Sequence, residues 1–238
     1  MQVSPRAKNP IVLSYLALRK SVGIIALGLP FAVAVPWWIV AHKLESSISL
    51  YYYTGTRNLF VGSLCAIAMF QLGARGYDRK DELAGTFSAI CALGVAFFPT
   101  SPDSPTAHQK VIGGIHYTFA ALLFFTLAYF CLVLFEMSAA DTELTPQKLQ
   151  RNRVYTLSGY AILASMSLLA ILKLSRIDML PGGLGTAFVF ETTSLWAFGI
   201  AWLVKGEMFL KDQVPSRRVR TVGTDATPSE RRAAGLGE

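Results

Sequence analysis

Glu191 is the residue whose placement most invites chemistry. It stands about two turns inside the apolar run 185–199, Gly-Thr-Ala-Phe-Val-Phe-Glu-Thr-Thr-Ser-Leu-Trp-Ala-Phe-Gly. A lone carboxyl at that depth in a bilayer costs roughly 2–3 kcal/mol on insertion scales, so it faces a partner or a water-filled cavity. It could bind a polar headgroup, ion or substrate, or pass a proton. It reads equally as a structural carboxyl, paired with Arg57 or capped by hydroxyls such as Thr193. His116 sits early in a second apolar run, where a packing hydrogen bond and a ligand contact are both open to it. Arg57 can snorkel to headgroup phosphates or pair with a carboxylate. Beside it, the Tyr51–Tyr53 run forms an interfacial belt or a binding platform.

These groups must be positioned by helices in lipid. The 238 residues are 53% hydrophobic and 16% charged, against about 25% charged in soluble domains. The apolar residues fall in long blocks at about 22–41, 58–74, 83–98, 111–135, 154–174 and 184–204. Each approaches the roughly 20 residues a helix needs to cross the hydrocarbon core. The expected fold is therefore all-α: a polytopic, six-transmembrane-helix bundle. Residues 1–21 form a short N-terminal segment, 22–204 the transmembrane domain, and 205–238 a basic tail, disordered from about 213. Pro30 and Pro36 should kink the first span, since each removes a backbone hydrogen bond. Asp78 or Asp81 would cap the third.

Charge sets the orientation. Lys43, Arg57, Lys110, Lys173 and Arg176 fall in the first, third and fifth connections or at the block ends beside them; every other Lys and Arg lies in the N-terminal segment, the second and fourth connections, or the tail. The positive-inside rule then puts both termini in the cytoplasm, with the chain multi-pass in the plasma (inner) membrane. The net charge of +7 is spread between apolar blocks and tails, which excludes a nucleic-acid-binding face. Arg217, Arg218 and Arg220 in the tail would attract anionic lipid. The three cysteines, Cys65, Cys91 and Cys131, lie inside apolar runs and are expected to pack as small hydrophobes.

In this topology His116 lies about 7–8 Å below the outer start of its helix, and Glu191 about 10 Å below its own. The two could share one layer. Tyr53, Arg57 and Asp103 fall on the same side, and Trp196 follows Glu191 on the last span. Glu191, His116, Arg57, Tyr53, Trp196 and Asp103 are thus the candidate ligand-binding residues. His42 and His108 read as solvent-side loop residues.

Ile48-Ser49, Thr54-Gly55, His116 and Glu191 with Trp196 also carry a resemblance. An outer loop with Ile-Ser and Thr-Gly, a His early in the fourth span and a Glu with a Trp in the sixth is similar to the Frag/DRAM/Sfk family of six-pass membrane proteins, and to other bacterial membrane proteins of that build. Here Leu50 and three tyrosines separate the two halves of the loop motif. The resemblance implies a lipid-linked role: remodelling or distributing lipid, or organising membrane partners.

Three functions compete. The first is a non-enzymatic, lipid-associated role, with a headgroup or small polar ligand in the outer third of the bundle and a possible homo-oligomeric assembly. The second is a proton-coupled small transporter using Glu191. The third is a membrane-embedded, metal-dependent lipid hydrolase, which needs three His ligands on zinc. His42, His108 and His116 supply the number, but no His-x-x-x-His pair lies on a span. No phosphate-cradling glycine loop, nucleophile elbow or metal-spaced Cys/His cluster is present, so no cofactor or metal is expected.

Overall fold

The computed structural model describes residues 10–73, 79–137, 145–175 and 185–211. Among them every regular element is helical: α1 (Pro10–Ala41), α2 (Arg57–Gly73), α3 (Arg79–Phe97), α4 (Ala107–Tyr129), α5 (Pro146–Ser175) and α6 (Thr186–Lys205). A short 3-10 helix, Ile48–Tyr53, links α1 to α2, and a π-turn, Phe130–Leu134, extends α4. Four of the helices are long and apolar enough to cross a membrane: Val12–Ala41, Ala107–Leu134, Pro146–Ser175 and Thr186–Lys205. α2, with 17 residues, would cover only about 26 Å at 1.5 Å per residue. α3 has 19 residues, but opens on the charged run Arg79-Lys80-Asp81-Glu82.

Each helix packs against its neighbours in sequence, and α6 packs back against α1, so the six form a closed ring. Their directions alternate. The end of α1 and the starts of α2, α4 and α6 meet at one end, here the Glu191 end. The start of α5 and the last turn of α6 meet at the other, the Lys205 end. The outward faces are apolar too: Ile90, Phe125, Leu157 and Leu174 are all exposed. A bundle apolar inside and out suits a lipid solvent.

Two helices start earlier than expected. α1 begins at Pro10 instead of near Val22, and α5 at Pro146 instead of near Val154. Proline suits the first helical turn, where its missing N–H has no intrahelical partner. Thr145 Oγ1 accepts from the Lys148 amide at 3.2 Å and so caps α5. Arg19 and Arg151, placed outside the spans by hydropathy, thereby become helical and buried. Asp81 does not cap α3: that helix begins at Arg79, and Asp81 lies in its first turn. Asp78 lies outside the described residues. α1 runs through Pro30 and Pro36, and the Leu27 carbonyl, one residue beyond the acceptor that Pro30 deprives of its donor, accepts from Trp196 Nε1 at 3.2 Å. Cys91 and Cys131 are buried and Cys65 half-buried, each as a free thiol.

Small residues set how closely the ring can close. A Cβ on Gly23 of α1 would come within 2.8 Å of the Gly199 carbonyl oxygen, and one on Gly199 of α6 within 3.0 Å of the Gly23 carbonyl oxygen. Backbone cannot step aside as a side chain can, so Gly23→Ala or Gly199→Ala should force α1 and α6 apart. The expected cost is about 1–3 kcal/mol, read as a lower thermal unfolding midpoint in detergent. Gly62→Ala meets nothing within 4 Å and should lower it little or not at all.

Candidate functional site

At the Glu191 end the chain leaves α1 through His42, in the left-handed region at φ 53°, and folds back over the bundle. Glu45 holds the first part of this return, paired with Lys43 at 3.1 Å and accepting from Trp37 Nε1 at 3.0 Å. The 3-10 helix follows, and Ile48 and Tyr51 project from it into the core, 3% and 0% exposed. The Tyr51 ring lies 6.2 Å from that of Phe188, and its hydroxyl accepts from the Glu45 amide at 3.2 Å. Burial pushes the Tyr51 phenol above its ordinary pKa, so it stays neutral in this role.

Glu191 meets the start of that 3-10 helix. Ser47 Oγ donates to its carboxylate at 3.0 Å, and the Ile48 amide donates to Oε2 at 2.7 Å. Ser47 Oγ in turn accepts from the Ser49 amide at 3.1 Å. A carboxylate from α6 thus completes the N-cap of an element 144 residues away in sequence. The backbone closes alongside it: the Phe188 amide donates to the Ser46 carbonyl at 2.9 Å. Gly185, at the head of α6, must be glycine, because a Cβ there would lie 2.1 Å from the Ser46 carbonyl oxygen.

His116, 1% exposed on α4, anchors the other side of the same helix. Its Nδ1 lies 2.7 Å from the Phe98 carbonyl and its Nε2 3.0 Å from Ser49 Oγ. A carbonyl only accepts, so Nδ1 carries the hydrogen; in the neutral ring Nε2 then accepts from Ser49. Ser47 and Ser49, either side of the inserted Ile48, therefore tie one loop to α6 and to α4.

The other candidates lie around this core or away from it. Tyr53 donates its hydroxyl to the Thr100 carbonyl at 2.7 Å and so joins the loop to the end of α3. Arg57 is exposed at the rim, its guanidinium 4.1 Å over the Tyr52 ring and bonded to the Tyr52 hydroxyl. It does not pair with Glu191, and Thr193 caps nothing there, donating instead to the Val189 carbonyl. Asp103 stays in the exposed α3–α4 connection. Trp196 sits on the outer side of α6, stacked on Phe31 with centroids 5.5 Å apart, and does not join the cluster. Among the described residues no three His, Cys, Asp or Glu side chains come together as a metal site.

The Lys205 end holds residues that the apolar pattern concealed. Lys148 and Lys205 both donate to the Phe135 carbonyl, at 3.3 and 3.2 Å, where the π-turn ends and leaves that oxygen outside the helical ladder. Arg151 Nε donates to the Tyr155 hydroxyl at 3.3 Å, and Arg19 lies over Tyr15. Phe130, Phe135, Tyr155, Phe198 and Trp202 form one aromatic cluster beneath these cations, with neighbouring centroids 5.3–5.8 Å apart. A sequence signal was there: Tyr15 and Arg19, and Arg151 and Tyr155, are each spaced i, i+4 and so share a helix face.

Removing the Glu191 carboxylate leaves the Ile48 amide and the Ser47 hydroxyl without their acceptor. Glu191→Ala should cost about 2–5 kcal/mol in thermal unfolding, and Glu191→Gln, which keeps one acceptor oxygen, clearly less. Ser49→Ala and His116→Ala share one bond, so a double-mutant cycle should give a coupling of about 1 kcal/mol.

No protein-family model matches the chain, and no curated protein or solved structure matches it, so the functional reading rests on its own residues.

Proposed function

We propose that this is a non-enzymatic integral membrane protein that binds a lipid headgroup at its Glu191 end. All six helices are taken to cross the bilayer, both termini lying in the cytoplasm with the cation-rich Lys205 end. The alternating direction of the helices around the ring supports this arrangement, as does the positive-inside distribution of Lys and Arg. The membrane is the plasma (inner) membrane.

The observation that carries the reading is the presentation of Arg57. Glu191 and His116 hold the loop by its two serines, and the loop holds Arg57 at the first position of α2. The guanidinium lies over the Tyr52 ring, exposed, with one neutral partner and no carboxylate within salt-bridge distance among the described residues. A planar fork of donors fixed beside interfacial tyrosines suits a phosphate oxyanion. In this reading Glu191 and His116 position the site without touching the ligand, and Tyr53 braces it against α3. A lipid-linked role is also what the Ile48-Ser49, Thr54-Gly55 and His116 resemblance implies.

Native mass spectrometry of the detergent-purified protein tests this. Wild type should retain a phospholipid, Arg57→Gln roughly tenfold less of it, and Arg57→Lys an intermediate amount because the bidentate contact is lost. Equal retention by wild type and Arg57→Gln would contradict the headgroup site. Proton uptake in proteoliposomes that disappears in Glu191→Gln would put the transporter in its place.

A further inference from the structure

We propose that the Lys205 end of the bundle is a second, separate site, which binds the oxyanion of a phosphate group through Gln71 and Trp202 within a cluster of cations. A small cavity lies there between α1, α2, α3 and α6, lined by Arg19, Gln71, Asp81 and Trp202 over the rings of Phe130 and Phe135. Its enclosed part is about 10 Å³, room for one water-sized atom, within a recess of about 290 Å³ that includes open solvent. One oxygen of an oxyanion fits the enclosed part, with the remainder of the group at the mouth.

Two side chains in this cavity are built for a guest. Gln71 and Trp202 are each 3% exposed, and neither the amide oxygen and nitrogen of Gln71 nor the indole nitrogen of Trp202 has a hydrogen-bond partner. Buried polar atoms in folded proteins are bonded to protein, water or ligand, and an unmade bond is costly. The Gln71 amide and the Trp202 indole each offer N–H donors, and Trp has no acceptor at all. The Gln71 oxygen can accept from the hydroxyl of a protonated phosphate, which a halide could not supply. Charge favours an anion: Arg19 stands in the cavity wall with Asp81, and Lys148, Arg151 and Lys205 gather at the same end of the bundle. The π-turn that ends at Phe135, one of the cavity's lining residues, is a distortion often found at functional sites, and Lys148 and Lys205 both donate to the Phe135 carbonyl.

The phosphate could be free in solution or part of a lipid headgroup, and the test separates the two. The full chain is purified in a phosphate-free maltoside detergent as wild type, Gln71→Leu, Trp202→Phe and Arg57→Gln. In one arm inorganic phosphate is titrated while the thermal unfolding midpoint is followed. In the other, the protein is passed through vesicles of phosphatidylcholine with phosphatidic acid, and bound lipid is counted by native mass spectrometry. A midpoint that rises with phosphate in Arg57→Gln identifies a free anion; one phosphatidic acid per chain still bound in Arg57→Gln, with no effect of phosphate, identifies a headgroup. In either case binding should be roughly ten- to hundredfold weaker in Gln71→Leu and Trp202→Phe. Arg57→Gln should lose only the lipid held at the other end and keep the binding that Gln71→Leu and Trp202→Phe weaken, so this proposal and the headgroup site at the other end can fail separately. Gln71→Leu removes a buried amide without partners and should melt no lower than wild type when no anion is present. Binding of neither probe, or equal binding by wild type and both cavity variants, would overturn the proposal and leave the cavity to water.

Discussion

The rest of the molecule depends on one carboxylate meeting one short helix. Where α1 turns back over the end of the bundle, its connection to α2 drops into the core, and the leading amides of its 3-10 helix need acceptors where water is scarce. Glu191 supplies one from α6, at 2.7 Å from the Ile48 amide, and takes the Ser47 hydroxyl as well. That contact fastens the first connection to the last helix, where the ring of six closes between α1 and α6. With Ser47 and Ile48 fixed, Ile48 and Tyr51 stay in the core, Ser49 reaches His116, and Tyr53 reaches the end of α3. One acidic side chain thus organises a polar layer that joins the ends of five helices.

The two ends of the bundle meet the same constraint with different chemistry. At the Glu191 end, hydroxyls and backbone amides converge on a carboxylate and an imidazole, and Arg57 is pushed to the rim. At the Lys205 end, cations converge on a carbonyl released by the π-turn, over an aromatic floor that attracts them through its ring faces. The first arrangement is closed within the chain. The second leaves Gln71 and Trp202 with donors that the chain does not use.

Much of the fold was legible because lipid-facing helices must be long and apolar, and four of the blocks stand as such helices. Glu191 and His116 were legible as a pair because both lie a few residues inside an outer helix start, and a helix fixes depth at about 1.5 Å per residue. What joins them was not. Ser47 and Ser49 look like ordinary loop serines, and only the 3-10 turn, pinned 144 residues away, aims one at α6 and the other at α4. The early starts of α1 and α5 were hidden for another reason. Hydropathy averages over a window, so Arg19 and Arg151 ended the apolar blocks although no helix breaker stands there. Pro10 and Pro146 mark the true starts. Trp196, expected beside Glu191, turns outward because five residues along a helix is 140° round from it.

Hydrogen–deuterium exchange across residues 46–53 tests the central claim most directly, comparing wild type with Glu191→Ala in the same detergent. If Glu191 holds this loop, the Ile48 and Ser49 amides are protected in wild type as strongly as neighbouring helical amides, and exchange far faster in the variant while α3 and α5 are unchanged. Exchange of those two amides at unprotected rates in wild type, or equal protection in the variant, would contradict it.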